Sequence, residues 1–473
     1  MPEQIANYEM ALDAIREIVG AGFVYRGESV PASYRMDWSG CQPVEPLALI
    51  RPSIPSEVAS VMRICHEHGL PVVPQGGLSG LAGGAVPLPN ALSISMDRLS
   101  QIESVDVGSC SMTVQAGVTL QTVQEGALKV GMEFGVDFGA RGTCQIGGAI
   151  ATNAGGSGVI QNGMMRAQTL ALEVVLADGT VLPLGQSMLK NNAGYDLKQW
   201  FIGSEGTLGI ITRATLKLRP LQRARISALL GLQDFDSAIQ TLRRLQAQFP
   251  GCLAAFEVMW RDFVDMSLQW NAVSSPLSQD YPFCVLVEIT GADESALSAA
   301  LLDAMGKLLE EGHVADAVIA QSKAQARALW RIREASADFT THMLPINFDV
   351  SLPIEQIGLF ADECVRALTQ RWPTQKTLRF GHLGDGNLHL TTDLRSLGND
   401  MPQSSVYEIE HLIYSIVQRR GGSISAEHGI GLHKKPYLNM SRVDVEIALM
   451  RTIKQALDPK NLLNPSKIFD MQP

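Results

Sequence analysis

The chain has 473 residues, 46% hydrophobic and 18% charged, the balance of a fully folded globular protein and long enough that two or three domains are expected. A net charge of −10 argues against the basic surface by which proteins hold nucleic acids, and disfavours anionic lipids as well. Seven scattered cysteines, odd in number and without a Cys-x-x-Cys pair, exclude a disulfide framework or a zinc ribbon and suit a reducing compartment.

The N-terminal stretch has no basic segment followed by an apolar one, and no later run reaches about 18 apolar residues, so a cytoplasmic protein is expected, with peripheral membrane contact left open. Residues 56–69 carry Val58, Val61, Met62 and Cys65 at helical spacing, with Ser56 as the expected N-cap and Gly69 as the stop. A short apolar piece, Pro71–Pro74, leads into five glycines between Gly76 and Gly84. A strand follows in which Leu92, Ile94 and Met96 alternate with serines. Residues 139–163 hold eight glycines, Leu172–Leu182 reads as a hairpin split by Asp178-Gly179, and Gly203–Thr212 is a third glycine-rich stretch.

From about residue 222 to 420 the pattern changes to longer helices (Phe235–Gln248, Glu294–Glu311, Ile354–Arg371) alternating with strands such as Phe283–Ile289. That alternation predicts an α+β domain with helices on one face of an antiparallel sheet. The tail predicts a helix over Ile447–Leu457 running into a Pro-marked loop.

The glycines between Gly76 and Gly84 let backbone approach a ligand and aim successive N–H groups at it. Their spacing is neither that of the dinucleotide fingerprint nor that of a P-loop, and one glycine cluster alone reads equally well as a surface loop. Three such loops flanking strands point to one large, extended cofactor.

Five of the nine histidines, His382, His389, His411, His428 and His433, fall within about fifty residues. Asp385-Gly386 is the pair that a type I′ turn requires. A turn there pairs Gly384 with Asn387, Leu383 with Leu388 and His382 with His389, setting the two imidazoles opposite one another with Cβ atoms roughly 4.5–5.5 Å apart. With Glu427 they make the His/His/Glu set of a catalytic divalent site with an open fourth position. A half-buried structural histidine pair is the competing reading.

The ordered set Pro74–Gly80, Gly142–Gly148 with Ala151–Gly156, Asn192–Gln199, Gly203–Ile210, Gly381–His389 and Glu427–Gly431 resembles FAD-linked 2-hydroxyacid dehydrogenases of the vanillyl-alcohol oxidase/p-cresol methylhydroxylase superfamily. The pattern is nearest to D-2-hydroxyglutarate dehydrogenases, then to D-lactate dehydrogenases, and spans residues ~50 to 470. The resemblance implies an α+β fold: a two-subdomain FAD-binding domain of the vanillyl-alcohol oxidase type over 1–221, a substrate domain with an antiparallel sheet over 222–425, and a segment over 426–473 returning to the FAD domain.

It also implies where FAD binds: Pro74, Gly76, Gly77, Leu78, Ser79 and Gly80 at the pyrophosphate, Gly142, Cys144, Gly147, Gly148, Asn153, Gly155 and Gly156 beside it, and Glu205, Gly209, Ile210 and Asn464 near it. Leu78 stands where members with covalent flavin place a histidine, so non-covalent FAD is expected. His382, His389 and Glu427 match the family's metal ligands, with zinc favoured although manganese, cobalt or iron would be accepted. His428 matches the general base, and Arg333 the arginine that serves both catalysis and binding of the substrate carboxylate.

The chemistry fits, because an ion chelated by carboxylate and hydroxyl lowers the hydroxyl pKa, an imidazole takes the proton, and the C2 hydride passes to flavin N5. The expected substrate is a D-2-hydroxy acid of the D-2-hydroxyglutarate, D-malate or D-lactate class. Two positions depart from the pattern: Asn347, in the substrate site, replaces a lysine, and Thr391 replaces an asparagine. A quinone, a cytochrome or an electron-transfer flavoprotein stays open as electron acceptor, and so does a homodimer. The alternative is a sugar or alcohol oxidase, or a non-redox flavoprotein, on the same scaffold.

Overall fold

The computed structural model describes residues 2–397 and 403–471. The chain divides into two compact units: one built from the residues up to Gly156, from Gly163–Leu221 and from Glu427 onward, the other from Ser157–Asn162 and Gln222–Ala426.

In the first unit a four-stranded sheet runs in the order Val24–Tyr25, Ala48–Ile50, Leu92–Ser95, Val72–Gln75, and its last three strands are parallel. All four residues of Leu92–Ser95 are buried, Ser93 and Ser95 included, as expected of a parallel sheet covered on both faces. The preceding helix spans Pro55–His68 and buries Val58, Val61, Met62 and Cys65 as the spacing predicts. Its N-cap is Ile54 and not Ser56: Pro55 at the first helical position presets φ, and the Ser53 N–H is taken by the Glu57 carboxylate at 2.6 Å. Gly69, at φ +68, closes the helix.

A five-stranded antiparallel sheet completes this unit, in the order Ile102–Asp106, Ser111–Gln115, Ile210–Lys217, Thr169–Val175, Val181–Leu184. The Asp178-Gly179 hairpin is present, with Val175 opposite Val181 and Gly179 at φ +82.

The second unit is organised by a seven-stranded antiparallel sheet in the order Asp316–Ile319, Ala224–Leu232, Phe283–Gly291, Leu253–Trp260, Thr377–His382, Asn387–Asp393, Pro345–Ser351. The central Leu253–Trp260 strand is buried along its whole length, so both sheet faces are covered there. Beside it packs an aromatic cluster in which Phe263 and Phe380 stack with centroids 4.4 Å apart.

The histidine hairpin differs from the expected one. His389 stands opposite Phe380, and the chain turns through a one-turn helix at Leu383–Asp385 and Gly386 at φ +84. The Asp385 side chain accepts the Asn387 N–H at 3.2 Å, and His382 pairs on its other side with Glu257, so a two-residue turn gives way to a wider loop. Because the slip is two residues, His382 and His389 keep the same face as diagonal neighbours. No described helix is long and apolar enough to cross a membrane.

Candidate functional site

The three glycine-rich loops meet in the first unit. A Cβ on Gly76 would meet the Gly148 Cα at an ordinary 3.5 Å, but one on Gly77 would stand only 1.9 Å from the Thr143 carbonyl oxygen, so at Gly77 the first two loops can approach this closely only as glycine. Ser79 hydrogen-bonds the Cys144 thiol, which burial pushes up to about 11. Gly80 lies beside Asp37, Gly142 sits on an exposed turn beside Gln121, and Gly147 packs on Ala116. Gly155 and Gly156 are buried.

The third loop is anchored to the second by hydrogen bonds from the Gly203 N–H to Ile150 O and from the Glu205 N–H to Ala151 O, while Gly206 abuts Pro74. Gly209 wedges against Val174 and Phe201, and Ile210 opens a strand inside the core, so both serve packing. Leu78, Asn153, Glu205 and Asn464 all hold left-handed backbone (φ 57, 51, 51 and 42). Such conformations cost roughly 1–3 kcal/mol each and gather at ligand sites.

The C-terminal segment ties these loops together. The Asn464 amide donates to Gly84 O at 3.0 Å and to Glu205 O at 2.7 Å. The Glu205 carboxylate accepts the Ile430 and Gly431 N–H groups at 2.7 and 2.8 Å; burial pushes its carboxyl up against the pull of those bonds. Glu427 and His428 are half-buried in the irregular segment just before, and Glu427 Oε1 accepts the Gly156 N–H at 2.5 Å.

Around these loops three buried acceptors, Gln75 Oε1, Gln145 Oε1 and Asn464 Oδ1, have no hydrogen-bond partner among the described residues. Buried acceptors of this kind call for donors from a ligand. FAD carries such donors in its ribityl hydroxyls, flavin imide and adenine amine, and the glycine backbone suits its pyrophosphate, so the residues present fit it.

In the second unit His382 and His389 lie side by side, ring centroids 5.3 Å apart and nearly perpendicular. Each faces a buried carboxylate on the neighbouring strand. Glu257 is opposite His382 and takes its Nδ1 at 2.6 Å. Asp349 is opposite His389, with Oδ1 4.0 Å from Nδ1. The His382 contact is of hydrogen-bond length, and a histidine so held has its tautomer and ring orientation fixed with Nε2 turned away from the carboxylate; the His389 contact is longer than a hydrogen bond.

Glu257 also accepts Arg333 Nε at 2.7 Å. Burial raises the Glu257 carboxyl, but the charges of His382 and Arg333 outweigh it and hold it below the ordinary value. Asp349 accepts the Asn387 amide at 2.9 Å and the Ala426 N–H at 3.2 Å; Ala426 is the residue before Glu427. Arg333, almost buried, lies over the Phe380 ring at 4.6 Å.

Asn347 is exposed, directly opposite Thr391, whose hydroxyl donates to its Oδ1 at 2.8 Å. The two departures from the family pattern are thus one cross-strand pair. Glu257, Asp349 and Asn387 were not anticipated. The available signal was a lone carboxylate inside an apolar strand, in Leu253–Trp260 and again in Pro345–Ser351, because unpaired charge is seldom buried.

Two family models match the chain: an FAD-binding domain over residues 46–185 and the C-terminal domain of FAD-linked oxidases over 221–468. The D-2-hydroxyglutarate dehydrogenase of Xanthomonas citri pv. viticola is 40% identical over 443 residues, covering 92% of each chain. The mitochondrial D-2-hydroxyglutarate dehydrogenase of Rattus norvegicus is 36% identical over 438 residues, covering 91% of this chain and 80% of its own. Among solved structures, p-cresol methylhydroxylase with substrate bound superposes with a TM-score of 0.75 at 14% identity, covering 98% of this chain and 97% of that one, a likeness of fold.

Proposed function

This chain belongs to the FAD-linked oxidases, among the FAD-linked D-2-hydroxyacid dehydrogenases, and on that premise we propose that it oxidises a D-2-hydroxy acid to the 2-oxo acid in a site holding both FAD and a divalent ion. The observation that carries this reading is the pair His382 and His389, each opposed by a buried carboxylate, with a buried arginine on one of those carboxylates. That is how a chain presents two imidazoles to a cation and a guanidinium to a carboxylate.

We assign Glu427 as the third ligand. Its Oε1 accepts the Gly156 N–H, which holds the carboxylate in place. When bound, the ion supplies a Lewis acid that lowers the hydroxyl pKa and FAD supplies the acceptor of two electrons and the C2 hydrogen. Arg333 holds the substrate carboxylate through its terminal nitrogens, since Nε is held by Glu257. His428 takes the hydroxyl proton. The glycine loops, pinned by Asn464 and Glu205, hold the cofactor by backbone.

The purified protein should be yellow, contain zinc, and bleach anaerobically on addition of D-2-hydroxyglutarate or D-lactate but not of the L enantiomers. A protein that bleaches with sugars or simple alcohols, or not at all, would sink the reading.

A further inference from the structure

Glu257 sits mid-strand in Leu253–Trp260, fully buried, directly across the ladder from His382. One carboxylate oxygen takes His382 Nδ1 and the other takes Arg333 Nε, at 2.6 and 2.7 Å. The Arg333 Nη1 and Nη2 atoms make no hydrogen bond among the described residues, and the guanidinium carbon lies 4.6 Å from the centroid of the Phe380 ring, which is 5.1 Å from that of His389. A carboxylate removed from water this completely is costly unless both oxygens are matched, and here its two partners are a ring nitrogen and a guanidinium with separate tasks.

We propose that Glu257 is a positioning residue that couples ion binding to recognition of the substrate carboxylate. By accepting from Nδ1 it fixes the His382 tautomer that presents Nε2 and makes that imidazole a better donor to a cation. By accepting from Nε it turns the outer edge of Arg333 toward a bidentate carboxylate. The two tasks share one charge: whatever Arg333 draws from Glu257 is withdrawn from His382. This rests on the reading that His382 binds an ion and Arg333 a substrate carboxylate.

The test is zinc affinity of the flavin-loaded, metal-stripped protein, measured without substrate by competition with a chromogenic chelator. Glu257→Gln should weaken zinc about 10–100-fold, as loss of an outer-shell carboxylate does elsewhere, and raise KM for the hydroxy acid with the flavin spectrum unchanged. Arg333→Gln should also raise KM but tighten zinc several-fold, because Glu257 then serves His382 alone. A disturbed fold would weaken zinc in both variants, so opposite signs identify the coupling. If Glu257→Gln does not accumulate, the sign of the Arg333→Gln change decides. Equal weakening in both, or unchanged affinity in either, overturns the proposal. His382→Ala separates the two levels: if it leaves zinc affinity intact, the metal site itself is wrong, whereas loss of zinc in His382→Ala beside an unaltered Glu257→Gln removes only the coupling.

Discussion

A charged residue in the middle of an apolar strand is energetically out of place unless its neighbours complete it: Glu257 is completed by His382 and Arg333, and Asp349 by the Asn387 amide and the Ala426 N–H, with His389 4.0 Å away. The side chains that surround an ion and the one that moves a proton should therefore separate under mutation. His389→Ala should lose both zinc and turnover while keeping its flavin spectrum. His428→Ala should keep zinc and flavin yet lose 10²–10⁴-fold in kcat/KM, roughly what removal of a general base costs. Near-normal turnover at full zinc content in His389→Ala would remove it as a ligand. Asn347 sets a second test. A lysine there would add a charge-assisted bond to a second carboxylate, worth roughly 1.5–3 kcal/mol, or about ten- to a hundredfold. Asn347→Lys should shift the ratio of kcat/KM values toward D-2-hydroxyglutarate and away from D-lactate. A native protein that already prefers the dicarboxylate by a wide margin contradicts this.

At the scale of elements, the sequence was readable where period and punctuation agree. The Phe235–Gln248 and Ile354–Arg371 helices lie where their spacing puts them, and Gly69 ends its helix as a left-handed residue should. It was unreadable where tertiary pairing decides. Asp385-Gly386 reads as a two-residue turn, but His382 is held by Glu257 on the adjacent strand, and nothing local records that partner. The Leu253–Trp260 strand shows no alternation because both its faces are covered, which hides the one position that matters to the site. Glycines were legible as a set, but which of them touch was not. Gly77→Ala would drive a Cβ into the Thr143 carbonyl, with nowhere for either backbone to go. It should lower stability by at least the ~1–3 kcal/mol typical of overpacking and strip FAD during gel filtration. Gly306→Ala, in the Glu294–Glu310 helix with nothing within 4 Å, should instead raise the thermal midpoint, by roughly 0.5–1 kcal/mol of added stability. Matching behaviour of the two variants would mean that the loops are not packed on one another.

For the whole molecule, the first unit is closed by chain from both ends, and the closing segment brings buried lysines with it. Lys454 donates to Thr207 O, Leu463 O and Asp458, and Lys467 donates to Val86 O at 2.8 Å beyond the first glycine loop. Such long-range ties leave no periodic trace in the sequence, where both residues read as ordinary surface lysines. Lys467 has a measurable consequence. Burial pushes its ammonium from the ordinary 10.5 down to about 8, only partly countered by the nearby carboxylates of Asp37 and Glu205. Between those two values the unfolded chain keeps a proton that the folded protein has shed, so this residue makes stability rise with pH from about 8 to about 10.5. Below about 8 the charge is buried at full cost, on the order of 3 kcal/mol at 1.36 kcal/mol per pH unit. Other groups titrate in the same range, but they are common to wild type and Lys467→Met, so the difference between the two isolates the lysine. Urea midpoints should show wild type gaining on Lys467→Met as the pH is raised from about 8 to about 10. Parallel curves would mean that Lys467 reaches water in its charged form and that the C-terminal segment does not seal the glycine loops.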